Sequence, residues 1–412
     1  MQKTAGKILQ TAWDGLGEIR RGASLDDCLD RLEQGHSVRK TAGFLLFSFF
    51  RHKKTIDRLL KKCIVKPPEK RVFELLELAA VQIFFCSGIA RESAVNVAVD
   101  LIRGSAGKYT AGFVNAVLRK MTAMDFPEEK TSEDILPDPV LKHWRGIFSP
   151  AEIEAFAGVF QMPAATTFRR TAKEPPSADE LAVLSAERLP EPFPNCPCPF
   201  YRTGDPAGLF ASNSWKQGFW YIQDPAAAAA VSLVDFRCVR KALDICAAPG
   251  GKSLMIAENL PADGFLVAAD RSEARQKFTR ENFRLRGWDF PTPAVTPENL
   301  PEEWGDFDLV LADVPCSNTG VFRHRPDALW RFRSDTVPDL KELQENLLEE
   351  AGRRTARGGI LLYSTCSIEP EENEIRCREF LAEHPEFQSV SEKKLLPSSS
   401  HDGAYARLMK KR

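Results

Sequence analysis

Nothing in the chain is apolar for long enough to cross a membrane. The most hydrophobic runs, Phe44 to Phe50 and Leu78 to Phe85, fall far short of the roughly 20 residues a span requires. The opening MQKTAGKILQ carries positive charge with no apolar stretch behind it, so it does not read as a secretory signal. The ten cysteines are scattered singly apart from Cys196 and Cys198, which excludes a disulfide framework and points to a reducing, cytoplasmic setting. Histidines stand at 36, 52, 143, 324, 384 and 401 without metal-ligand spacing, and the Cys196/Cys198 pair lacks a second pair, so no metal is expected. Internal repeats are also missing.

Charge of either sign is not in excess: the net value is -1, which names no partner. The average conceals an asymmetry. Residues 1–130 carry 22 Lys and Arg against 15 Asp and Glu, a net of +7, whereas residues 131–412 carry 34 against 42, a net of -8. A basic first third is consistent with an anionic partner and equally with a solvated mixed surface. With 412 residues, 43% hydrophobic and 27% charged, the chain has the composition of a soluble globular protein of two or three domains.

From Lys7 to about Arg119 apolar residues recur at helical spacing, Leu75, Leu76, Leu78, Val81 and Ile83 among them, and residues 1–125 read as an all-helical domain. The acidic, proline-containing segment DFPEEKTSEDILPDP places a linker over 126–140. Residues 141–222 mix helical stretches, Ala151 to Phe160 and Ala178 to Leu189, with the turn-rich EPFPNCPCPF, and no fold follows from their pattern. From 223 to 412 short apolar strands alternate with helical stretches such as Asp339 to Arg354. That alternation predicts an α/β, Rossmann-like domain with a mostly parallel sheet. Its strands are expected at Ala242–Cys246, Phe265–Ala269, Leu309–Ala312 and Ile360–Ser364. Ligands of such sheets bind at the carboxyl ends of the strands.

LDICAAPGGKS, Leu243 to Ser253, runs from a strand through a glycine turn into a helix. Gly250 and Gly251 allow close backbone approach at a helix amino end. The glycine spacing is neither that of the dinucleotide fingerprint nor that of a phosphate loop, and a strand-to-helix turn also uses glycine for geometry alone. In AADRS, Asp270 ends the next strand, where a carboxylate can accept bonds from ribose hydroxyls. Those two features suit a nicotinamide cofactor and a methyl donor equally.

FDLVLADVPCSNTG, Phe307 to Gly320, ends a strand with Asp313 and Cys316, and GGILLYSTCSIEPEENE, Gly358 to Glu374, ends another with Cys366. Taken singly, each cysteine reads as a core residue. Two at matching strand ends beside a cofactor crevice suit one reaction, methylation of cytosine carbon 5. That carbon becomes nucleophilic once a thiolate adds to carbon 6. Asp313 is placed to meet the exocyclic amine and ring nitrogen.

These motifs resemble the RNA 5-methylcytosine methyltransferase family of the bacterial Sun (Fmu) and eukaryotic Nop proteins, over nearly the whole chain. LDICAAPGGKS and AADRS resemble its cofactor motifs, DVPCSNTG its Pro-Cys motif and STCSIEPEENE its Thr-Cys motif. QDPAAAAA from Gln223, HRPDALWR from His324, and Gln344 resemble segments near the family's site. The resemblance implies a class I fold with S-adenosylmethionine as cofactor, and Cys366 as the nucleophile with Cys316 assisting product release. Lys252 and Asp313 would contact the cytosine or assist proton movements, while Cys246, Ala247, Ala248, Pro249, Gly250, Gly251, Lys252, Asp270, Arg275, Glu298 and Asp313 would line the cofactor crevice. DNA cytosine methyltransferases take their nucleophile from the Pro-Cys motif, so the Thr-Cys motif favours RNA over DNA.

LAAVQIFF, ESAVNVAVDLI and AGFVNAVLRK resemble the NusB-like, RNA-binding helical domain fused to the bacterial small-subunit ribosomal RNA methyltransferases B. The resemblance implies 16S ribosomal RNA as partner, a monomeric enzyme, and RNA contacts from residues 141–222. The same chemistry on transfer RNA or another ribosomal RNA site, or an RNA-binding assembly factor without turnover, are the alternatives it leaves. The sequence departs from the family where Pro297 stands in place of an adenine-binding Asp, with Glu298 beside it, in FRRTA around Arg169, and in the closing DGAYARLMKK.

Overall fold

The computed structural model describes residues 2–31, 36–171, 174, 176–333 and 337–412. The described residues form two compact units, one drawn from Met1–Pro163 and Phe322–Ser334, the other from Ala164–Val321 and Asp335–Arg412.

The first unit is helical, as expected: α1 (Gln2–Ile19), α2 (Leu25–Arg31), α3 (His36–Cys63), α4 (Lys70–Phe85) and α5 (Arg91–Thr122). In α4, Leu75, Leu76, Leu78, Ala79, Ala80 and Val81 are all buried. A helix apolar on all sides belongs at the centre of a bundle. Glu74 and Glu77 are buried on the same helix because Arg20 of α1 reaches both, at 3.3 Å and 2.5 Å. Arg71 adds a second bond to Glu74 at 2.8 Å and Lys53 lies 3.7 Å from Glu77, so each buried acid has more than one cation against it.

The division of the chain differs from the sequence reading. Residues 126–140, expected as a linker, contain the helix Ser132–Ile135 and the start of Asp138–Trp144, and the helix Pro150–Gln161 follows. Ser149 caps that last helix, its hydroxyl accepting from Glu152 N while the Glu152 carboxylate accepts from Ser149 N at 2.8 Å. This reciprocal pair satisfies two free helix-end donors. Ile135, Leu136 and Val140 are buried, three anchors that the surrounding acids and prolines hide from a compositional reading. Trp144, wholly buried, packs among Phe148, Phe156, Phe160 and Phe322. The helical unit therefore runs to Pro163.

Phe322 comes from a segment that follows the Pro-Cys motif in sequence, and that segment folds with the helical unit. Its helix Pro326–Arg331 is held there by Asp327, which accepts from Leu25 N at 3.1 Å, and by Trp330, whose Nε1 donates to Phe50 O at 2.7 Å.

The second unit opens with a small antiparallel sheet in the order β2-β3-β1-β4, made of β1 (Thr166–Arg170), β2 (Ala186–Arg188), β3 (Phe200–Thr203) and β4 (Trp220–Ile222). Phe168, Leu184, Tyr201, Leu209 and Trp220 fill its core. The helix expected over Ala178–Leu189 ends at Val183. Ser185, at φ +46°, turns the chain out of helical geometry and β2 follows. In the same unit Arg169 is buried, and its guanidinium donates to Gln223 and Glu258. Of the FRRTA segment, Ala172 lies outside the described residues.

The principal sheet has the order β6-β5-β7-β8-β10-β9, comprising β5 (Lys241–Asp244), β6 (Phe265–Ala268), β7 (Phe307–Asp313), β8 (Thr355–Thr365), β9 (Phe387–Leu395) and β10 (Ala404–Lys411). β6, β5, β7 and β8 pair in parallel, and β10 pairs antiparallel with β8 and β9. Both faces are covered: Leu243, Val310, Leu361 and Tyr363 belong to one core, and Ala242, Leu309, Leu311 and Leu362 to the other. That two-sided burial is why these strands read as continuous apolar runs. Beside β6 the segment through Pro291 and Pro293 runs extended, its carbonyls accepting from Ala268 N at 2.9 Å and Asp270 N at 3.3 Å. Prolines have no N–H to return, so this edge pairs one way only.

Replacing Trp144 by alanine removes the centre of the aromatic cluster and should cost about 3–5 kcal/mol. Urea unfolding followed by tryptophan fluorescence and circular dichroism measures it, and a loss confined to a few tenths would contradict the packing described.

Candidate active site

The ends of β5, β6, β7 and β8 carry the residues singled out from the sequence. After β5 the chain passes Cys246, Ala247, Ala248 and Pro249 and enters the helix Gly251–Asn259 through Gly250, whose φ of +102° is available to glycine at little cost. Asp270 follows β6 and is buried. Its carboxylate accepts from Ala248 N at 3.1 Å and from Ser272 N at 2.9 Å. An ionised carboxylate offers about four acceptor positions, so two remain for ribose hydroxyls, as an adenosyl cofactor requires. The residues present therefore fit S-adenosylmethionine. Arg275, itself exposed, braces this loop: its guanidinium donates to Ala248 O and lies 3.6 Å from Asp270. Glu298 sits exposed in the turn Pro297–Asn299.

Asp244, at the end of β5, is buried, and burial pushes its pKa to about 7 against the opposing bond from Ser253 Oγ, 2.6 Å away. Burial likewise raises the Cys246 thiol well above its ordinary value, helped by Asp244, Asp313 and Asp270. Asp313 at the end of β7 accepts from Lys252 Nζ at 2.6 Å and from Ser364 Oγ at 2.7 Å. Burial works against the Lys252 charge, yet Asp313 above all, with Cys366 and Asp244, raises its pKa. An ammonium so held favours the thiolate of a neighbouring cysteine.

Cys316 and Cys366 follow β7 and β8, whose parallel register places Asp313 opposite Ser364. Their sulfurs lie 3.2 Å apart. Cys316 is buried, and the hydrogen bond with Cys366, then burial, raises its pKa well above the ordinary value. Cys366 is half-buried and its thiol also reaches Asn318 Oδ1 at 3.4 Å. The loops are joined through Gly320, whose N–H donates to Cys366 O at 3.0 Å and whose carbonyl accepts from Gly403 N at 2.8 Å. A Cβ at position 320 would stand 2.5 Å from Gly403 O and 2.7 Å from Cys366 O, so glycine alone permits this approach. A cavity of about 80 Å³ opens beside Cys366, lined also by Lys252, Asp224, Ser364 and Asp402.

The structure thus brings together Lys252, Asp313, Cys316 and Cys366, with the Cys246–Gly251 turn and Asp270 on the adjoining strand ends. The sequence reading passed over Asp244, whose signal was one acid inside an apolar strand, and Asn318, at φ +61°. It gave no role to Glu372, which lies within the quoted STCSIEPEENE and is fully buried. Of the segments expected near the site, Gln344 donates to Pro315 O at 2.9 Å, while HRPDALWR folds with the helical unit.

Parallel strands with a glycine turn and an acid on the next strand suit either kind of cofactor, but the two thiols beside the Lys252–Asp313 pair at the ends of β7 and β8 fit a class I methyltransferase, here with a helical domain before it. Residues 234–407 match the family described as 16S rRNA methyltransferase RsmB/F, and residues 2–123 match the NusB family. The chain thus carries an RsmB/F-type methyltransferase domain behind a NusB domain, and its cofactor is S-adenosylmethionine. It is similar to the probable ribosomal RNA small subunit methyltransferase B of Synechocystis sp., 26% identical over 90% of this chain and 87% of that one. The protein so described from Bacillus subtilis is 28% identical over 86% of this chain and 82% of its own. In fold, the crystal structure of PH0851 superposes with a TM-score of 0.80 at 23% identity, covering 100% of this chain and 99% of that one. Among the described residues, no helix is long and apolar enough to cross a membrane.

Two measurements check the geometry. With iodoacetamide at pH 8, Cys366 should be alkylated at least about tenfold faster than Cys316, because the latter is buried and held as a thiol; peptide mass spectrometry gives the ratio, and equal rates would contradict it. Gly320→Ala should destabilise by about 1–3 kcal/mol, the usual range for an overpacked site, read as a lowered urea midpoint.

Proposed function

We propose that this chain methylates carbon 5 of a cytosine in small-subunit (16S) ribosomal RNA through a covalent adduct between Cys366 and cytosine carbon 6. The observation that carries the reading is the pair of thiols, 3.2 Å apart, beside the Lys252–Asp313 ion pair. One thiol is half-exposed and next to a cation; the other is buried and held protonated.

Cys366 adds as thiolate to carbon 6, forming a sulfur–carbon bond and moving electron density to carbon 5. Asp313, oriented by Lys252 and Ser364, meets the exocyclic amine and ring nitrogen of the cytosine. S-adenosylmethionine, when bound, would supply the electrophilic methyl group for carbon 5, its sulfonium leaving as the neutral thioether. A base then removes the carbon 5 proton, the bond to Cys366 breaks, and Cys316, in contact with that sulfur, assists the release. Cys246 to Gly251, Asp270, Arg275, Glu298 and Asp313 serve the cofactor in this reading, Asp270 through its two unused acceptor positions.

The relatives' names support ribosomal RNA as substrate, and the basic charge of residues 1–130 supports an RNA-binding role for the NusB domain, with further RNA contacts from residues 141–222. The enzyme acts as a monomer in the cytoplasm, on RNA and not on DNA. The target base has to leave its stack before a thiol can reach its ring.

Cys366→Ala should give no covalent RNA complex and no methyl transfer, whereas Cys316→Ala should accumulate protein joined to RNA, visible as a shifted band on denaturing gels. An adduct formed by Cys366→Ala would reverse the assignment of the thiols. Mapping bisulfite-resistant cytosines in 16S rRNA, in cells with and without the gene, tests the substrate: an unchanged map sinks it.

A further inference from the structure

The two cysteine loops share one buried anion. Glu372 is fully buried, yet among the described residues no lysine, arginine or histidine is a hydrogen-bond partner of it; four neutral donors surround it. Its Oε1 accepts from Ser317 N and from Gln344 Nε2, both at 2.9 Å. Its Oε2 accepts from Ser317 Oγ and from Ser367 Oγ, both at 2.5 Å. Ser317 is the residue after Cys316, and Ser367 the residue after Cys366. One carboxylate thus spans both loops at the position next to each thiol. Gln344 adds the residue before Cys316 by donating also to Pro315 O at 2.9 Å.

The neighbouring residues extend the same bracing. The Glu372 carbonyl accepts from Tyr363 Oη at 2.7 Å, which fixes its backbone to β8. Asn373 accepts from Thr365 Oγ1 at 2.6 Å and donates to Ser367 O at 2.9 Å, holding the residues on both sides of Cys366. An unpaired carboxylate in this position would be costly to bury, and four donors are what make it tolerable. Beyond the strand ends single bonds replace the ladder, Gly320 N–H to Cys366 O and Ile368 N–H to Thr319 Oγ1, both at 3.0 Å, and Glu372 is the group that ties the residues next to both thiols.

We propose that Glu372 is a positioning residue, which sets the separation of the Cys316 and Cys366 thiols by spanning the two loops that carry them. The inference rests on the covalent reaction proposed above for its role in turnover, although the spacing itself is a property of the free protein. The side chain acts by its reach. Glutamine has the same length, and the two serine hydroxyls can rotate to accept from its amide. Aspartate keeps the charge but is one methylene too short to bond both loops.

The test uses the full chain and phenylarsine oxide, which condenses with two adjacent thiols to form two arsenic–sulfur bonds and release one water. Neither RNA nor methyl donor is needed, so spacing is read independently of whether the proposed reaction is correct. Capture at Cys316 and Cys366, mapped by mass spectrometry, should proceed alike in wild type and Glu372→Gln and about tenfold more slowly in Glu372→Asp. With RNA, kcat should fall about a hundredfold in Glu372→Asp, as a displacement near 1 Å can cause, while KM for RNA and for S-adenosylmethionine stays within about twofold of wild type. Glu372→Gln should retain most of kcat. Capture retained by Asp and lost by Gln would overturn the proposal in favour of charge, and equal capture in all three would overturn it outright. Should Glu372→Asp melt below the assay temperature, Ser367→Ala replaces it, removing one of the four bonds and no charge; undiminished capture there would overturn the proposal as well.

Discussion

The parallel pairing of β7 with β8 is the constraint on which the site depends. Its register sets Asp313 opposite Ser364, and the pairing continues one bond further, Val314 N donating to Ser364 O at 3.0 Å. Two strands that end at the same level deliver the next residues of each to the same place. That is how thiols 50 positions apart in sequence come to lie 3.2 Å apart. A slip of one residue would turn every alternate side chain to the opposite face, and the apolar residues buried on both sides oppose any such slip. The core on the two faces of the sheet thereby fixes chemistry at its end.

Charge is distributed accordingly. The centres of the strands carry no ionisable group between Leu309 and Ala312, nor between Ile360 and Leu362. The acids begin where the strands stop, and each has donors: Ser253 for Asp244, two backbone amides for Asp270, Lys252 and Ser364 for Asp313, four neutral donors for Glu372. Carboxylates in these surroundings differ by what faces them. Asp313 meets a cation and is half-exposed, so it is free to receive a ligand. Glu372 meets neutral donors only and is enclosed, so it serves the scaffold. Equal side-chain chemistry is thus divided between binding and support by the partners each carboxylate meets and the acceptor positions they leave open.

Much of this was legible in the residues. The four parallel strands were readable because two-sided burial writes them as apolar runs, and their ends because polar residues interrupt those runs. The helical first third was readable from its period. Less visible was the small sheet of β1 to β4, whose strands of three to five residues are too short to establish alternation. The helix Ser132–Ile135 was obscured because prolines and acids surround its buried residues. Glu372 was hidden for a related reason: EPEENE has the composition of a solvated helix start, and only the fold reveals that one of its four acids is sealed under both cysteine loops.

The segment Phe322–Ser334 bears on what a domain means in this chain. The polypeptide passes between its two compact units after Pro163, after Val321 and again after Ser334. Within the segment Phe322, Ala328, Leu329 and Phe332 are buried, and the rings of Phe322 and Phe332 meet Trp144, Phe160 and His143 of the helical unit. A catalytic piece cut out at residue 164 would retain Phe322 and Phe332 without these rings. A helical piece ending at 125 would lack Trp144 and the aromatic cluster around it. Apolar area left uncovered in this way favours association over folding, so the catalytic piece is not self-sufficient, whereas the helical piece keeps its own core from Leu9 to Met121. The loop that leaves the Pro-Cys motif at Gly320 enters the helical unit two residues later, so a cut between the units falls inside the chain that follows the first thiol.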